Sequence, residues 1–130
     1  MRTAEDVESF LIRMGQPYDD LGDGLFVIHD DARHVGDVAI KIAGPIVVFR
    51  AKVMDVPPAR REELYRLLLE MNAQEMVHGA YGIEDEAIVM VDTLPLENLD
   101  YSEVQAVLDD FSIAVSNHYP RLRTFQPQVP

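Results

Sequence analysis

The side chains best suited to chemistry in this sequence are its histidines, of which there are four: His29, His34, His78 and His118. No two of them show the HxH or HExxH spacing that holds a zinc ion. Asp30, Asp31 and His34 could in principle share a metal, but they fall in a polar turn, where solvated side chains are the commoner explanation. The sequence therefore predicts no metal-binding residues.

The hydroxyl and thiol groups of the chain show no sign of nucleophilic catalysis. None of the serines lies in a GxSxG turn, and all fall on predicted helices: Ser9, Ser102, Ser112 and Ser116. The sequence has no cysteine, which excludes disulfide bonds, Cys-ligated zinc and thiol catalysis. No glycine pattern of a phosphate-binding loop is present. We therefore predict a protein that is not an enzyme, with no catalytic residues and no cofactor.

Acidic residues dominate the charge of the chain. Asp and Glu number 23 against 11 for Lys and Arg, which gives a formal net charge of −12 at pH 7. Binding to nucleic acid or to an anionic membrane needs a basic face, and the sequence shows none. The N-terminal residues lack the apolar segment of a signal peptide, and the longest apolar run, residues 46–49, is far too short to span a bilayer. We expect a cytoplasmic protein that binds neither nucleic acid nor membrane.

Apolar periodicity and turn residues predict an α+β fold in the order α-β-β-β-α-β-β-α. Capping boxes, in which Thr3 pairs with Asp6 and Asp100 pairs with Glu103, mark the first and last helices. Residues 18–24 are acidic and rich in glycine, which is typical of a short strand or a loop. The five strands are predicted at residues 25–29, 38–42, 46–56, 78–82 and 87–93. Because hairpin-length connections join most of them, we predict a five-stranded antiparallel sheet with the helices packed mainly on one face.

The length of 130 residues leaves room for one domain with one core. No linker or internal repeat interrupts the predicted elements. We therefore predict a single domain over residues 1–123, in which Pro120 closes the last helix. A flexible C-terminal tail is predicted over residues 124–130.

The central helix, predicted over residues 57–72, carries more apolar surface than one packing face needs. The stripe that faces a core consists of Leu64, Leu67, Leu68 and Met71. Tyr65 and Leu69 widen this stripe to an arc of roughly 200°, twice the width of a single packing face. Such a helix is expected to have two partners, which are its own sheet and another chain.

The strands add a second apolar surplus, because large side chains occur on both of their faces within residues 25–28 and 46–49. A sheet covered on one face only would show polar residues on the other. Two explanations stay open with equal weight: burial by loops or by the first helix, and a dimer or client surface. The residues predicted to form a partner or dimer interface are Phe26, Ile28, Ile46, Val48, Tyr65 and Leu69.

The element order, together with the run LLLEMNAQEMVHGAYGIEDEAIVMVDTLPLENLD at residues 67–100, resembles the YbjN-like family and the type III secretion chaperone (CesT/Tir chaperone) fold. The features that carry the resemblance are a leucine-rich helix ending at Asn72, the small-residue strand HGAYG, and Leu94-Pro95-Leu96 before an acidic loop. The element order extends the similarity to nearly the whole chain.

This resemblance implies a small, acidic, homodimeric, chaperone-like domain that holds an extended or partly folded segment of a client protein. Strand addition to a sheet edge or docking of a helix in a groove would supply the binding energy. The alternative is a regulatory or sensory module that has the same fold and binds a small ligand or a signalling partner. Fold alone does not decide between these functions.

Overall fold

The computed structural model describes residues 2–29 and 36–127. It contains one antiparallel sheet, against which three helices pack. The helices are α1 (Ala4–Met14), α2 (Arg61–Gln74) and α3 (Tyr101–Leu122), and a 3-10 helix follows at Arg123–Phe125. The strands are β1 (Tyr18–Gly22), β2 (Leu25–Ile28), β3 (Val38–Ala43), β4 (Ile46–Asp55), β5 (Ala80–Glu84) and β6 (Ala87–Pro95). The predicted α+β class and the antiparallel sheet are confirmed.

The strands lie in the order β1-β2-β3-β4-β6-β5, so β1 and β5 are the two edges of the sheet. Strands β1 to β4 follow one another as neighbours, whereas α2 connects β4 to the far edge. From that edge the chain returns through a tight turn at Asp85 and Glu86, whose φ values of 49° and 62° are those of a two-residue hairpin. The connection places α2 directly beside the edge strand β5.

The predicted number of five strands is wrong, because residues 18–22 form a sixth. This strand pairs with β2 through Tyr18 opposite Ile28, and four of its five residues are exposed. An edge strand with no buried face lacks the apolar alternation by which a strand is recognised in sequence. Its backbone ladder with β2 determines its conformation instead.

The core lies between one face of the sheet and the three helices. The buried strand residues on this face include Phe26, Ile28, Ile40, Val47, Phe49, Tyr81, Ile88 and Met90. The helices contribute Val7, Leu11, Leu64, Leu68, Met71, Val104, Val107, Phe111 and Val115. The residues that alternate with the buried ones, such as Leu25, Val27 and Val48, point to the opposite face and stay half-buried. Packing of the helices on one face is therefore confirmed.

Local signals in the sequence mark where the first and last helices begin. Thr3 and Asp6 form a capping box at α1, and Asp100 and Glu103 form another at α3, as predicted. Pro120 does not close the last helix, which continues to Leu122. Proline lacks one N–H, but its φ of about −65° is compatible with a helix, and two further helical residues follow it in α3.

The start of α2 differs from the prediction, since the helix begins at Arg61 rather than at the preceding prolines. The N-cap residue Arg60 has a φ of 60° and makes no capping bond with its side chain. Instead its guanidinium stacks over the ring of Phe125 at 4.4 Å and donates to the carbonyl of Thr124. These contacts lie at the beginning of the predicted C-terminal tail, of which residues 128–130 are outside the described residues. The domain boundary and the flexibility of the tail stay predictions.

The turn between α2 and β5 depends on the absence of a side chain at Gly79, and this gives a first prediction. Gly79 has a φ of 79°, and a Cβ there would lie 2.7 Å from Phe111 Cε1 and 2.9 Å from the carbonyl oxygen of Val91. Gly15, with a φ of 73° and no atom within 4 Å, provides the control. We expect Gly15→Ala to lower the free energy of unfolding by about 1–2 kcal/mol, and Gly79→Ala by about 1–3 kcal/mol more. Urea denaturation followed by circular dichroism measures both, and equal losses would contradict the close packing at Gly79.

Candidate protein-binding surface

A groove with a mainly apolar lining lies between α2 and the edge strand β5. It has a volume of about 210 Å³ and is lined by Tyr65, Leu68, Leu69, Asn72, Tyr81, Gly82 and Ile83. Leu69 is 68% exposed and Ile83 is 52% exposed, so two large aliphatic side chains stand in solvent on its two walls. Exposed apolar side chains that flank a groove are typical of a protein-binding surface.

The floor of the groove is fixed by hydrogen bonds between α2 and β5. The backbone N–H of Tyr81 donates to Asn72 Oδ1 at 2.7 Å, and Asn72 Nδ2 donates to the carbonyl of Tyr81 at 3.1 Å. A single amide side chain thereby satisfies both backbone groups of one strand residue. These two bonds fix the position of α2 beside β5 at this point of the groove.

Behind the groove, Tyr81 reaches a buried histidine on α3. The Tyr81 hydroxyl lies 2.7 Å from Nδ1 of His118, which is 2% exposed, and Nε2 of His118 lies 3.5 Å from Glu75 Oε1. A neutral ring with its proton on Nε2 accepts from the tyrosine and directs its N–H toward the carboxylate. Arg121 completes the network with two hydrogen bonds to Glu75, at 2.8 and 3.2 Å.

The environment of this network shifts the ionisation of its members. Burial lowers the pKa of His118, which keeps the ring neutral. Burial also raises the pKa of the Tyr81 hydroxyl, so it remains a donor. The hydrogen bonds from Arg121 lower the pKa of Glu75 and keep it charged. The network therefore joins α2, β5 and α3 with a defined protonation state for His118, Tyr81 and Glu75.

The six residues predicted as an interface fall into three places. Tyr65 and Leu69 line the α2–β5 groove. Ile46 and Val48 lie on β4, where they point to the sheet face opposite the helices and are exposed and half-buried, respectively. The other two, Phe26 and Ile28, are only 2% and 3% exposed and belong to the core of the chain itself. They have almost no surface to offer a partner, and the interface role of all six stays a prediction.

Comparison with known proteins assigns this arrangement to a family. The model of the CesT_Tir_1 family matches residues 1–128. The chain belongs to the CesT_Tir_1 family. No curated protein matches its sequence at a significant level.

Solved structures share the fold of this CesT_Tir_1 member at low sequence identity. YbjN from E. coli, a candidate transcription regulator, has a TM-score of 0.70 at 14% identity and covers 94% of this chain and 97% of its own. The heterodimeric complex ExoU–SpcU from the type III secretion system of Pseudomonas aeruginosa gives 0.71 at 13% identity, over 88% and 95%. The Yersinia pestis type III secretion chaperone SycH, in complex with a stable fragment of YscM2, gives 0.64 at 14% identity, over 88% and 97%. The predicted resemblance to YbjN and to type III secretion chaperones is confirmed.

The three histidines that the structure describes, His29, His78 and His118, lie in separate surroundings. His29 lies between Asp19 and Asp37, at 2.7 and 3.0 Å, and His78 lies between two further aspartates. His34, with Asp30 and Asp31, falls outside the described residues. Within residues 2–29 and 36–127 no three His, Cys, Asp or Glu side chains are arranged to hold a metal ion. Over the same residues no helix is long and apolar enough to cross a membrane.

Sequence reasoning missed three of the residues that line the groove. Asn72 ends the predicted central helix and Tyr81 falls in the predicted strand 78–82, whereas Ile83 falls in no predicted element. The available signal was Asn72 itself, since an amide within the apolar pattern LLLEMN needs a hydrogen-bond partner when it is partly buried. The identity of that partner depends on how α2 packs beside β5, which the sequence pattern does not specify.

The buried histidine gives a second prediction, on the pH dependence of stability. Because the pKa of His118 is lowered from 6.5 in the folded chain, the unfolded chain takes up a proton first as pH falls. The stabilisation by neutral His118 is therefore fully present above pH 6.5 and is lost as pH falls toward its folded pKa. We expect the free energy of unfolding, measured in urea, to fall less between about pH 7 and 5 in His118→Gln than in the wild type.

His29→Gln is the matched control for this measurement, because its shift has the opposite sign. Hydrogen bonds to Asp19 and Asp37 raise the pKa of His29, so its contribution to stability is present at low pH and is lost as pH rises through the folded pKa. Removing His29 should therefore steepen the loss of stability on acidification, whereas removing His118 should flatten it. Equal pH profiles for the two variants would contradict the assignment of a neutral His118.

Proposed function

We propose that this chain is a non-catalytic, chaperone-like domain of the cytoplasm that forms a homodimer and holds a segment of a client protein. The observation that carries the proposal is the α2–β5 groove, on whose two walls Leu69 and Ile83 are exposed. The membership of the CesT_Tir_1 family supports it. Two of the solved structures with this fold are complexes of ExoU with SpcU and of SycH with a YscM2 fragment, so the fold is compatible with holding another protein.

The homodimer uses the face of α2 that the chain itself leaves open. Leu64, Leu68 and Met71 pack into the core, while Leu69 is 68% exposed on the other side of the helix. Covering this leucine with a second copy removes apolar surface from water at about 25 cal/mol per Å². A homodimer is also consistent with the excess apolar arc of α2, which exceeds what one sheet can bury.

The client is held on the sheet face opposite the helices. This face carries half-buried valines on three of its strands, Val27 on β2, Val48 on β4 and Val91 on β6. Ile46, at 37% exposure, extends the apolar surface toward the end of β4. An extended, aliphatic protein segment fits such a flat surface. The net charge of −12 disfavours nucleic acid and anionic membranes as alternative partners.

A regulatory module that binds a small ligand is the second candidate, and the similarity to YbjN favours it. The small volume of the groove favours the side chains of a protein partner over a small ligand. Its volume of about 210 Å³ is below the roughly 300–1,000 Å³ of common small-molecule sites. A signalling protein as partner remains compatible with the same surface.

The homodimer gives a third prediction. We expect Leu69→Asp to convert a dimer of the wild type into a folded monomer, because the substitution places a charge in the apolar contact of two copies. Sedimentation velocity measures the mass, and circular dichroism reports the fold. The matched control is Ile12→Asp on α1, where an isoleucine is 62% exposed outside α2. A wild type that sediments as a monomer, or a dimer that persists in Leu69→Asp, would reject the proposed interface.

The client surface gives a fourth prediction. We expect the tagged wild type to capture one dominant protein from the lysate of its own host, because the exposed aliphatic side chains remain free for a client. Val48→Asp, which charges the centre of that surface, should lose this protein, whereas Ile12→Asp should retain it. Mass spectrometry identifies the captured protein. Equal capture by Val48→Asp and the wild type would show that the client binds a surface other than this sheet face.

A further inference from the structure

The outer side of α3 carries an apolar patch that lies outside the proposed dimer and client surfaces. Ile113 is 56% exposed in the middle of this helix, and Val77, in the connection between α2 and β5, is 83% exposed. Both line one depression of about 90 Å³, and Ile113 also lines a neighbouring depression of about 430 Å³. Neither depression shares a lining residue with the α2–β5 groove. Val77, Ile113 and these two depressions are called the α3 patch below.

The shape of the α3 patch suits the side chains of another helix. Ile113 and Asn117, one turn apart on α3, line both depressions, so the two depressions border on the same ridge. The side chains beside this ridge are small, because Ser112 and Ser116 line one depression and Ala114 lines the other. Helices pack with the ridge of one in a groove of the other, at axis distances of roughly 8–10 Å. Small side chains on α3 permit such a close approach.

The rim of the α3 patch is acidic. Asp109 and Asp110 stand four and three residues before Ile113, which places both carboxylates one helical turn from it. Asp110 Oδ2 lies 3.3 Å from His78 Nε2, and this contact holds the carboxylate beside the patch. Among the residues that the structure describes, no lysine or arginine lines either depression. The patch therefore combines exposed aliphatic side chains with negative charge.

These charges argue against a second copy of the chain as the occupant of the α3 patch. Contact between two copies through Ile113 would bring Asp109 and Asp110 of both copies together, and like charges held close are unfavourable. The guanidinium of Arg121, on the same helix, already bonds to Glu75 at 2.8 and 3.2 Å. A partner with positive charge beside aliphatic side chains matches the patch instead.

We propose that the α3 patch binds a basic amphipathic helix of a partner protein. Aliphatic side chains of this helix cover Val77 and Ile113, and its Lys or Arg side chains meet Asp109 and Asp110. Apolar burial supplies the affinity, and the two carboxylates select basic helices over acidic ones. The site is additional to the proposed client surface, because α3 packs on the opposite face of the sheet.

A pair of designed peptides tests the proposal with the full chain. One peptide of about 14 residues carries leucine at helical spacing and lysine elsewhere, and the other carries glutamate in place of lysine. We expect fluorescence anisotropy to show at least about tenfold tighter binding of the lysine peptide. In NMR spectra of the labelled chain, this peptide should shift the amide signals of Val77 and Ile113 most. Absent binding, equal binding of both peptides, or shifts centred on Val48 or Leu69 would overturn the proposal.

Ile113→Gln tests the apolar contact, with Ile12→Gln on α1 as the matched control. Both isoleucines are exposed on helices, at 56% and 62%, and glutamine is a good helix former, so both variants should fold. We expect Ile113→Gln to bind the lysine peptide about fivefold more weakly or worse, because the aliphatic contact is lost. Ile12→Gln should keep the wild-type affinity. An equal affinity of the two variants would refute the assignment of the site to α3.

The double variant Asp109→Asn with Asp110→Asn tests the acidic rim. Its control is Glu62→Gln with Glu63→Gln on α2, which removes the same number of adjacent carboxylates from another helix. We expect the aspartate variant to bind the lysine peptide about fivefold more weakly, and the glutamate variant to bind it as the wild type does. Equal losses would reduce the rim to a general effect of net charge and reject it. Val48→Asp, which charges the proposed client surface, should keep the affinity for the peptide, so a failure of the client proposal leaves this test intact.

Discussion

The contacts of Tyr81 are the interaction on which the arrangement of this fold depends. Its backbone bonds to Asn72 of α2, its hydroxyl lies 2.7 Å from His118 of α3, and its ring is 6% exposed. Buried polar groups are costly unless each has a partner, so this residue can be buried only when both helices stand where they do. The same requirement applies to His118, whose partner is Glu75, and to Glu75, whose partner is Arg121. A strand at the edge of the sheet thereby determines the relative position of two helices.

The sequence predicts most of the helices and the interior strands, because their signals are local. Capping boxes at Thr3 and Asp100 and the apolar stripe of α2 are each visible within a few residues. Strand β1 could not be recognised in this way, since it has no buried face and depends on its pairing with β2. The start of α2 is also non-local, because Arg60 is held by Phe125 and Thr124, more than 60 residues away.

The candidate site was predicted in part, for a definite physical reason. The excess arc of α2 pointed to Tyr65 and Leu69, and both line the groove. On the strands, alternation divides residues into two faces but does not say which face the helices cover. Phe26 and Ile28 were therefore assigned to an interface although they lie in the core, whereas Ile46 and Val48 lie on the open face. The bond between Asn72 and Tyr81 requires the packed structure.

The open sheet face combines aliphatic surface with charges that are already paired. Arg50 bonds to Glu84 at 2.7 Å and Lys52 bonds to Asp55 at 2.6 Å, and in each pair both side chains are largely exposed. Exposed ion pairs contribute only about 0–1 kcal/mol each, so a bound segment can exchange its own charges for these at little cost. In the proposed complex, the valines of this face would supply most of the affinity, and the charges would select which segments are accepted. In the proposed assembly the client occupies this face and the second copy contacts α2, so dimerisation and client binding would not compete.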